Sequence, residues 1–286
     1  MQHTEAFSEV SKLIHGKNLH TVCEEAMCPN IHECWGRHKT ATFIILGEHC
    51  TRACRFCAVK TGRPLPPDPQ EPQRLAESVQ TMQLKHVVIT MVTRDDLPDG
   101  GADAVAQTIY AISELSPDCT TEVLVSDMMI NPQAVKTITD CKPTINSHNI
   151  ETVRRLSDEV RSNSDYDRSL RYLEMVKEFE PTSITKSSLM LGLGETRDEI
   201  LHSFDDLRGV DVDIVNLGQY LQPTKKHIPV EYYWTPEEFD ELKEQALQRG
   251  FTYCESGPFV RSSYHAGDQY DKFLRQLSKT RSETAR

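Results

Sequence analysis

The chain has 286 residues, a length that fits one large domain or two small ones. Its 43 acidic and 32 basic side chains give a formal net charge of −11, which argues against an enzyme that grips nucleic acid phosphates. No apolar stretch approaches the roughly 20 residues of a membrane span, and the N-terminus lacks the pattern of a secretory signal. We therefore expect a cytoplasmic globular protein with neither a nucleic acid nor a membrane as partner.

Short apolar, β-branched runs alternate with longer segments of helical spacing along the chain. The predicted strands are Thr42–Leu46, His86–Val92, Glu122–Val125, Pro143–Asn146, Ile184–Leu191 and Val212–Leu217. The predicted helices between them are Glu71–Leu84, Asp103–Leu115, Pro132–Asp140, Ile150–Leu156 with Asp165–Phe179, and Thr196–Arg208. Six strands that alternate with helices predict an α/β fold of βαβ units around a parallel sheet. Three further elements follow a proline-punctuated loop: a helix at Pro236–Arg249, a short strand at Phe251–Cys254 and a helix at Asp268–Leu277.

Nine cysteines are present, and six of them lie between residues 23 and 57. The odd count and the absence of an export signal argue against a disulfide framework, because a reducing compartment keeps thiols free. Clustered reduced thiols are typical metal ligands. The other three cysteines are isolated, and we expect Cys119, Cys141 and Cys254 to be ordinary thiols.

The first group of chemical interest is Cys50-x3-Cys54-x2-Cys57, directly after the first predicted strand. Three thiolates on one short loop can bind three irons of a cubane iron–sulfur cluster. The fourth iron then has no protein ligand from this loop, and an open coordination position is typical of a catalytic metal site. The alternative is a zinc knuckle, for which His49 is a geometrically poor fourth ligand because it is adjacent to Cys50.

A second triad lies upstream, at Cys23-x4-Cys28-x5-Cys34. Here too three thiols are close in sequence and a fourth cysteine is absent nearby. The alternatives are structural thiols in a loop, or a zinc site completed by His32 or His38.

The C-x3-C-x2-C spacing, with Phe56 before its last cysteine, resembles the signature of the radical S-adenosylmethionine enzymes. The resemblance implies a partial (β/α)6 TIM-like barrel, in agreement with the six units counted above. It also implies that S-adenosylmethionine binds the open iron of a 4Fe–4S cluster and yields a 5′-deoxyadenosyl radical, which removes hydrogen from unactivated C–H bonds.

The string CEEAMCPNIHECW around the second triad resembles the N-terminal cluster motif of the lipoyl synthases. Further matching strings follow in order, from about Leu19 to Gly267: TATFIILGEHCTRACRFCAVKTG, HVVIT, RDDLPDGGA, HNIETV, DYDRSL, TKSSLMLGLGET, LGQYLQPTKKHIPV and ESGPFVRSSYHAG. The resemblance implies insertion of two sulfur atoms, at C6 and C8, into an octanoyl group carried on a lysine of a lipoyl carrier domain. A second, auxiliary 4Fe–4S cluster is implied as the sulfur donor.

The resemblance divides the chain into three parts: an N-terminal extension with the auxiliary-cluster cysteines at residues 1–40, the barrel at 41–218, and a C-terminal extension at 219–286. It implies two sets of cluster ligands. The ligands of the radical cluster are Cys50, Cys54 and Cys57, and those of the auxiliary cluster are Cys23, Cys28, Cys34 and Ser263. Ser263 is the second serine of an RSSY motif. On residue type alone, a serine pair before a helix is a cap or a turn former.

Contacts to S-adenosylmethionine are predicted from architecture alone, because β/α barrels bind ligands at the C-terminal ends of their strands. Residues at or just beyond such ends are Thr93, Asp95, Gly100, Gly101, Asp127 and Asn149.

The implied partners are octanoylated carrier domains, namely 2-oxoacid dehydrogenase E2 subunits and the glycine cleavage H protein, and an electron donor such as ferredoxin or flavodoxin. Because the net charge disfavours long-range attraction of an acidic carrier, docking should use local basic groups, and we expect them at Arg37–Lys39 and Lys225–His227. Two alternatives stay open. One is another radical S-adenosylmethionine enzyme whose auxiliary cluster serves electron transfer or substrate anchoring, and the other is a non-enzymatic iron–sulfur carrier.

Overall fold

The computed structural model describes residues 5–35 and 41–284, and a parallel sheet lies at its centre. The strands in chain order are β1 (His20–Thr21), β2 (Thr42–Ile45), β3 (His49–Cys50), β4 (Lys60–Thr61), β5 (His86–Met91), β6 (Thr120–Leu124), β7 (Ile145–Ser147), β8 (Ile184–Leu191), β9 (Ile214–Gln219) and β10 (Tyr253–Gly257). The large sheet has the order β1-β2-β5-β6-β7-β8-β9-β10, and β3 pairs with β4 separately. All pairings from β2 to β10 are parallel, whereas β1 is antiparallel to β2. The predicted six-stranded parallel sheet is therefore confirmed.

Helices connect successive strands, as the alternation predicts. They are α1 (Glu5–Gly16), α2 (Val22–Glu25), α3 (Ile31–Glu33), α4 (Glu71–Met82), α5 (Ala102–Leu115), α6 (Pro132–Asp140), α7 (Arg154–Val160), α8 (Tyr166–Phe179), α9 (Arg197–Gly209), α10 (Pro236–Gln248) and α11 (Ala266–Thr284). N-terminal capping residues determine where several of these helices begin. Asn131 caps α6, and α9 and α10 begin with reciprocal capping boxes between Thr196 and Glu199 and between Thr235 and Glu238.

Two elements differ from the sequence-based expectation. The helix predicted at Ile150–Leu156 begins only at Arg154, because Glu151 has a positive φ of 64° and its backbone forms a bridge with Leu189 of β8. The short strand predicted at Phe251–Cys254 is β10, which pairs with β9 and extends the parallel sheet to a seventh strand. The residues before 41 and after 218, which the resemblance assigns to extensions, contribute β1, the last residue of β9 and β10 to the same sheet.

The main apolar core lies between the sheet and its helices, and it includes Val215 and Leu217 of β9. The alternate residue Ile214 faces the other side, where it packs with Ile145 of β7 and Phe273 of α11. Helix α11 contacts both β10, an edge strand, and β5, so it reaches across much of the strand order of the sheet. None of the helices in the two described ranges is long and apolar enough to cross a membrane.

Candidate functional site

A single cavity of about 950 Å³ connects the features that the sequence singles out. Its volume is at the upper end of the ~300–1,000 Å³ typical of small-molecule and cofactor sites. The wall includes all of the clustered cysteines and the predicted serine ligand: Cys23, Cys28, Cys34, Cys50, Cys54, Cys57 and Ser263. Two triads of thiols therefore line one cavity.

The Cys50–Cys57 loop is held by its own backbone and by the rim of the sheet. The N–H of Arg52 donates to the Cys50 sulfur at 3.4 Å, and the N–H of Thr51 donates to the carbonyl oxygen of Thr93 beyond β5 at 3.1 Å. Burial raises the pKa of the Cys54 thiol to about 11 and that of the Cys57 thiol to about 12. Glu151 and Cys50 add smaller increases to both values. All three thiols of this loop line the cavity.

Arg52 fixes this loop to the ends of β5 and β6. Its side chain is only 3% exposed, and its Nε lies 2.8 Å from Asp95 Oδ2 while its Nη2 lies 2.7 Å from Asp127 Oδ1. Arg168 pairs with the second oxygen of Asp127 at 2.9 Å. Burial acts to raise the pKa of Asp127, but hydrogen bonds from Arg52 and the positive charges of Arg52 and Arg168 hold that pKa well below its usual range. Both carboxylates are thus engaged by arginine.

The auxiliary triad has a different construction, in which short helical turns bring the thiols together. Cys23 lies in α2, Cys34 follows α3, and the N–H of Cys28 donates to the carbonyl oxygen of Cys23 at 3.1 Å. Burial raises the pKa of all three thiols, and the charges of Cys23 and Cys28 help to raise that of Cys34 to about 12. A buried thiol of this kind ionises when a metal takes the place of its proton.

Ser263 reaches this triad from the C-terminal segment. The Thr42 hydroxyl donates to Ser263 Oγ at 2.8 Å, and the backbone N–H of the same threonine donates to the Cys23 sulfur, which offsets part of the effect of burial on the pKa of that thiol. The next residue, Tyr264, donates from its hydroxyl to Glu33 Oε2, beside Cys34, at 3.1 Å. The structure therefore brings the serine of the RSSY motif to the auxiliary cysteines, and its role as a ligand stays a prediction.

The residues predicted to contact S-adenosylmethionine fall into two groups. Thr93 and Asn149 line the cavity. Four others do not line it: Asp95 and Asp127, which bind Arg52, and Gly100 and Gly101, which lie next to Met128 and Leu46.

His148, which the sequence places with Asn149 at the end of the same strand, also lines the cavity, and so do Glu151 and Arg161, which the sequence analysis missed. Burial, followed by the charge of Arg161, lowers the pKa of His148 to about 4, so this imidazole is neutral at pH 7. Burial raises the pKa of Glu151, whereas Arg161 and Asn149 act to lower it. Glu151 belongs to the same string, HNIETV, but lies beyond the predicted strand end. Arg161 belongs to no motif in the sequence; it is the residue directly after α7, and only the fold brings it to the cavity.

The donor set fits iron–sulfur clusters better than zinc. Thiolates are the usual ligands of cubane clusters, and two separate triads supply three each. His32, one alternative zinc ligand, stacks on Phe7 with 5.2 Å between ring centroids, and the other, His38, lies outside the described residues. Within residues 5–35 and 41–284, no three His, Cys, Asp or Glu side chains are grouped closely enough to hold one metal ion.

Comparisons with known proteins agree with this donor set. The model of the radical SAM superfamily matches residues 44–207. Among solved structures, Streptococcus suis SuiB bound to S-adenosylmethionine superposes with a TM-score of 0.60 at 14% identity, covering 79% of this chain and 53% of that one. The FeFe-hydrogenase maturase HydG from Carboxydothermus hydrogenoformans gives 0.57 at 12% identity, covering 89% and 72%. These likenesses confirm the partial barrel.

Curated relatives match over nearly the whole chain. The lipoyl synthase of Halalkalibacterium halodurans is 60% identical over 268 residues, which is 94% of this chain and 88% of the relative. The lipoyl synthase of Shouchella clausii is 59% identical over 268 residues, with 94% and 87% covered. The chain therefore belongs to the lipoyl synthase family, within the radical S-adenosylmethionine superfamily.

Proposed function

We propose that this chain inserts two sulfur atoms, at C6 and C8, into the octanoyl group on a lysine of a carrier domain, and that the auxiliary cluster donates the sulfur. The observation that carries the proposal is the single cavity faced by both cysteine triads and Ser263. A substrate chain in that space is near both sites at once. The two clusters and S-adenosylmethionine, when bound, supply a carbon-centred radical for hydrogen abstraction and sulfur for insertion.

The chain's own residues bind, orient and exclude water. Cys50, Cys54 and Cys57 would hold the radical cluster, and because they supply three ligands for four irons, S-adenosylmethionine would bind the remaining iron. Arg161 offers a buried positive charge that suits the carboxylate of the methionine moiety, and Glu151 offers an acceptor that suits its amino group or ribose hydroxyls. These assignments replace the architectural prediction at Asp95 and Asp127, whose carboxylates bind Arg52.

The cavity wall also suits an octanoyl chain. Its lining includes apolar side chains, among them Ile44, Val88, Leu124 and Leu189. Burial of methylene groups against such a surface favours binding by roughly 0.8 kcal/mol per CH₂. The carriers that we propose are octanoylated 2-oxoacid dehydrogenase E2 subunits and the glycine cleavage H protein, and the proposed reductant is ferredoxin or flavodoxin.

One of the two proposed docking segments contacts the radical-cluster loop. Lys225 and Lys226 are exposed, and the Nε2–H of His227 donates to the carbonyl oxygen of Cys57 at 3.1 Å. A carrier domain bound at the lysines would therefore sit beside the loop that holds the radical cluster. The other segment, Arg37–Lys39, falls outside the described residues.

An anaerobic assay with an octanoyl-lysyl peptide, S-adenosylmethionine and dithionite tests the proposal. The clusters are first reconstituted with ³⁴S sulfide, and the product is examined by mass spectrometry. We expect a thiolated product that carries ³⁴S. A product without the heavy isotope, or cleavage of S-adenosylmethionine without any thiolated product, would favour an auxiliary cluster that only transfers electrons or anchors substrate. Absence of cleavage would favour a non-enzymatic carrier.

Charge reversal tests the docking segment. Lys225→Glu with Lys226→Glu should raise KM for an octanoylated carrier domain about tenfold and leave KM for the short peptide unchanged, since only the folded carrier has an extended acidic surface to be repelled. A matched control with the same change in charge is Lys136→Glu with Lys142→Glu, both exposed around the end of α6. Equal effects on carrier and peptide would contradict a docking role.

A further inference from the structure

The segment that carries Ser263 crosses directly over β9 at Gly218. A Cβ atom at this position would overlap the carbonyl oxygen of Val260 and would also lie near the guanidinium of Arg261. Only glycine leaves room for a backbone at this distance. This close approach sets the distance between the backbone of the segment and β9.

Asn216, two residues earlier on the same face of β9, binds the backbone of that segment. Its Nδ2 lies 3.3 Å from the carbonyl oxygen of Arg261, 3.2 Å from that of Ser262 and 3.1 Å from Gln269 Oε1. Three acceptors around one atom assign that atom as the amide nitrogen. Asn216 is fully buried, and its Oδ1 has no hydrogen-bond partner among the described residues.

An unpaired buried carbonyl costs free energy, so an asparagine here needs a compensating role. The amide nitrogen of Asn216 provides such a role, because it binds two successive carbonyl groups directly before Ser263. Gln269 extends the same network: it accepts from Asn216 and donates from Nε2 to the carbonyl oxygen of Tyr264 at 2.6 Å. The backbone on both sides of the serine is thereby anchored.

Thr42 fixes the side chain of the serine from the opposite part of the sheet. It belongs to β2, which lies next to the edge strand β1, whereas β9 lies next to the other edge strand, β10. The Thr42 hydroxyl donates to Ser263 Oγ at 2.8 Å, and Thr42 is itself buried. A donated hydrogen bond of this length selects one rotamer of the serine side chain.

We infer that Asn216 and Thr42 are positioning residues for the fourth ligand of the auxiliary cluster: Asn216 sets the backbone of the RSSY segment, and Thr42 sets the direction of the Ser263 oxygen. Neither residue needs to touch the cluster. The inference rests on the proposed role of Ser263 as that ligand. It explains how a serine far along the chain from the cysteines is held in place before iron binds.

The test uses the full chain with Cys50, Cys54 and Cys57 replaced by alanine, so that the auxiliary cluster alone is reconstituted. Two properties are measured: the rate at which a chelator removes the first iron, and the Mössbauer signature of the iron with an oxygen ligand. Thr42→Val keeps the shape and removes the hydroxyl, and Asn216→Leu removes the amide donors. Thr42→Val should speed the loss of the first iron about fivefold, as expected for one lost hydrogen bond, and Asn216→Leu, which removes more than one, should speed it by at least that factor. Both should weaken the oxygen-ligand signature.

Matched controls carry the same substitutions elsewhere in the core. Thr108→Val removes a buried hydroxyl that donates within α5, and Asn146→Leu removes a buried amide of β7 that accepts from Tyr172. Both should leave iron release within twofold of the parent. Circular dichroism checks that each variant is folded, and Thr42→Val, the nearly isosteric change, carries the test if Asn216→Leu does not fold.

A double-mutant cycle separates positioning from general stability. In a Ser263→Ala background, Thr42→Val and Asn216→Leu should have no further effect on iron release, because the ligand that they orient is gone. Effects that persist unchanged would overturn the inference. If Ser263→Ala itself changes neither iron release nor the Mössbauer signature, the proposed ligand role fails. If it changes both while Thr42→Val and Asn216→Leu change neither, only the positioning inference fails.

Discussion

The two cysteine triads face the same cavity but are built in opposite ways. The radical triad lies on one loop, and that loop is fixed by a buried arginine that binds two carboxylates at the ends of neighbouring strands. The auxiliary triad lies on short helical turns outside the barrel's strands, and its proposed fourth ligand, Ser263, comes from the C-terminal segment. The predicted ligands of the first cluster all come from one loop, whereas those of the second come from two distant segments that must meet.

This difference matches the proposed chemistry. A cluster that generates a radical in every turnover should stay in place, and the Arg52 network provides a rigid support for it. A cluster that gives up its sulfur must come apart, and a site assembled from separate segments can lose one ligand without disturbing the loop that binds the other cluster. The following predictions test whether the two sites are as independent as their construction indicates.

The largest effect is expected when the radical triad is removed. Replacing Cys50, Cys54 and Cys57 by alanine should lower the iron content from about eight to about four per chain and abolish cleavage of S-adenosylmethionine, because the two triads bind separate clusters. Iron analysis and detection of 5′-deoxyadenosine check both effects. The control replaces three cysteines outside the triads, Cys119, Cys141 and Cys254, and should leave eight irons. Release of 5′-deoxyadenosine by the first variant would show that the triads are wrongly assigned.

Loss of Ser263 should separate sulfur insertion from radical generation. Ser263→Ala should keep near-normal cleavage of S-adenosylmethionine and reduce lipoyl product by at least ~100-fold, which is about 3 kcal/mol of transition-state stabilisation. The neighbouring Ser262→Ala serves as the matched control. Wild-type yield from Ser263→Ala would return this serine to a structural role.

A thiolate at the same position tests why oxygen is used. Ser263→Cys should give a full auxiliary cluster with little product if a labile oxygen ligand is needed for the cluster to come apart. Activity close to that of the wild type would instead mean that any fourth ligand is sufficient.

The Arg52 network should stabilise the radical half of the molecule only. Arg52→Ala leaves the buried carboxylate of Asp127 without its main partner, although Arg168 still pairs with it, so we expect the free energy of unfolding to fall by about 3 kcal/mol. Iron bound by the radical triad should decrease, while iron bound by the auxiliary triad should not. Arg171→Ala, which removes a surface arginine paired with glutamates, is the control and should change little. Equal iron loss from both triads would contradict the independence of the two sites.

The sequence predicted the scaffold well because its information is local. The periodicity of the strand and helix segments and the capping groups of α6, α9 and α10 mark these elements directly. Contacts between distant side chains have no such pattern. Asp95 and Asp127 stood at the strand ends expected for ligand contacts, yet their partner Arg52 is visible only once the loop is folded. The hydrogen bond from Thr42 to Ser263 likewise depends on the path of the C-terminal segment.

The smallest predicted effect concerns acid, and it should appear on the radical side. His148 is buried beside the end of β7, where Arg161, Arg52 and Asp127 are the charged groups that act on it, and its Nδ1–H donates to the carbonyl oxygen of Val125 at 2.7 Å. Burial lowers its pKa from the ordinary 6.5 to about 4. At pH 7.5 and above the imidazole is almost entirely neutral in both the folded and the unfolded chain, so it has little effect on stability there.

As the pH falls through 6.5 the unfolded chain binds a proton at His148, whereas the folded chain binds one only near pH 4. Because the unfolded chain binds more protons between these two pH values, the free energy of unfolding decreases as the pH drops through this window. Between pH 7.5 and 5.5 the loss amounts to about 1.4 kcal/mol. Urea unfolding of the wild type and of His148→Gln at pH 7.5 and pH 5.5 measures the contribution of His148 alone, since glutamine can donate to the same carbonyl but does not titrate. The wild type should lose about 1.4 kcal/mol more than the variant over this interval. An equal loss in both proteins would mean that His148 accepts a proton in the folded state as readily as in the unfolded one, and that the radical side of the cavity is open to water at this position.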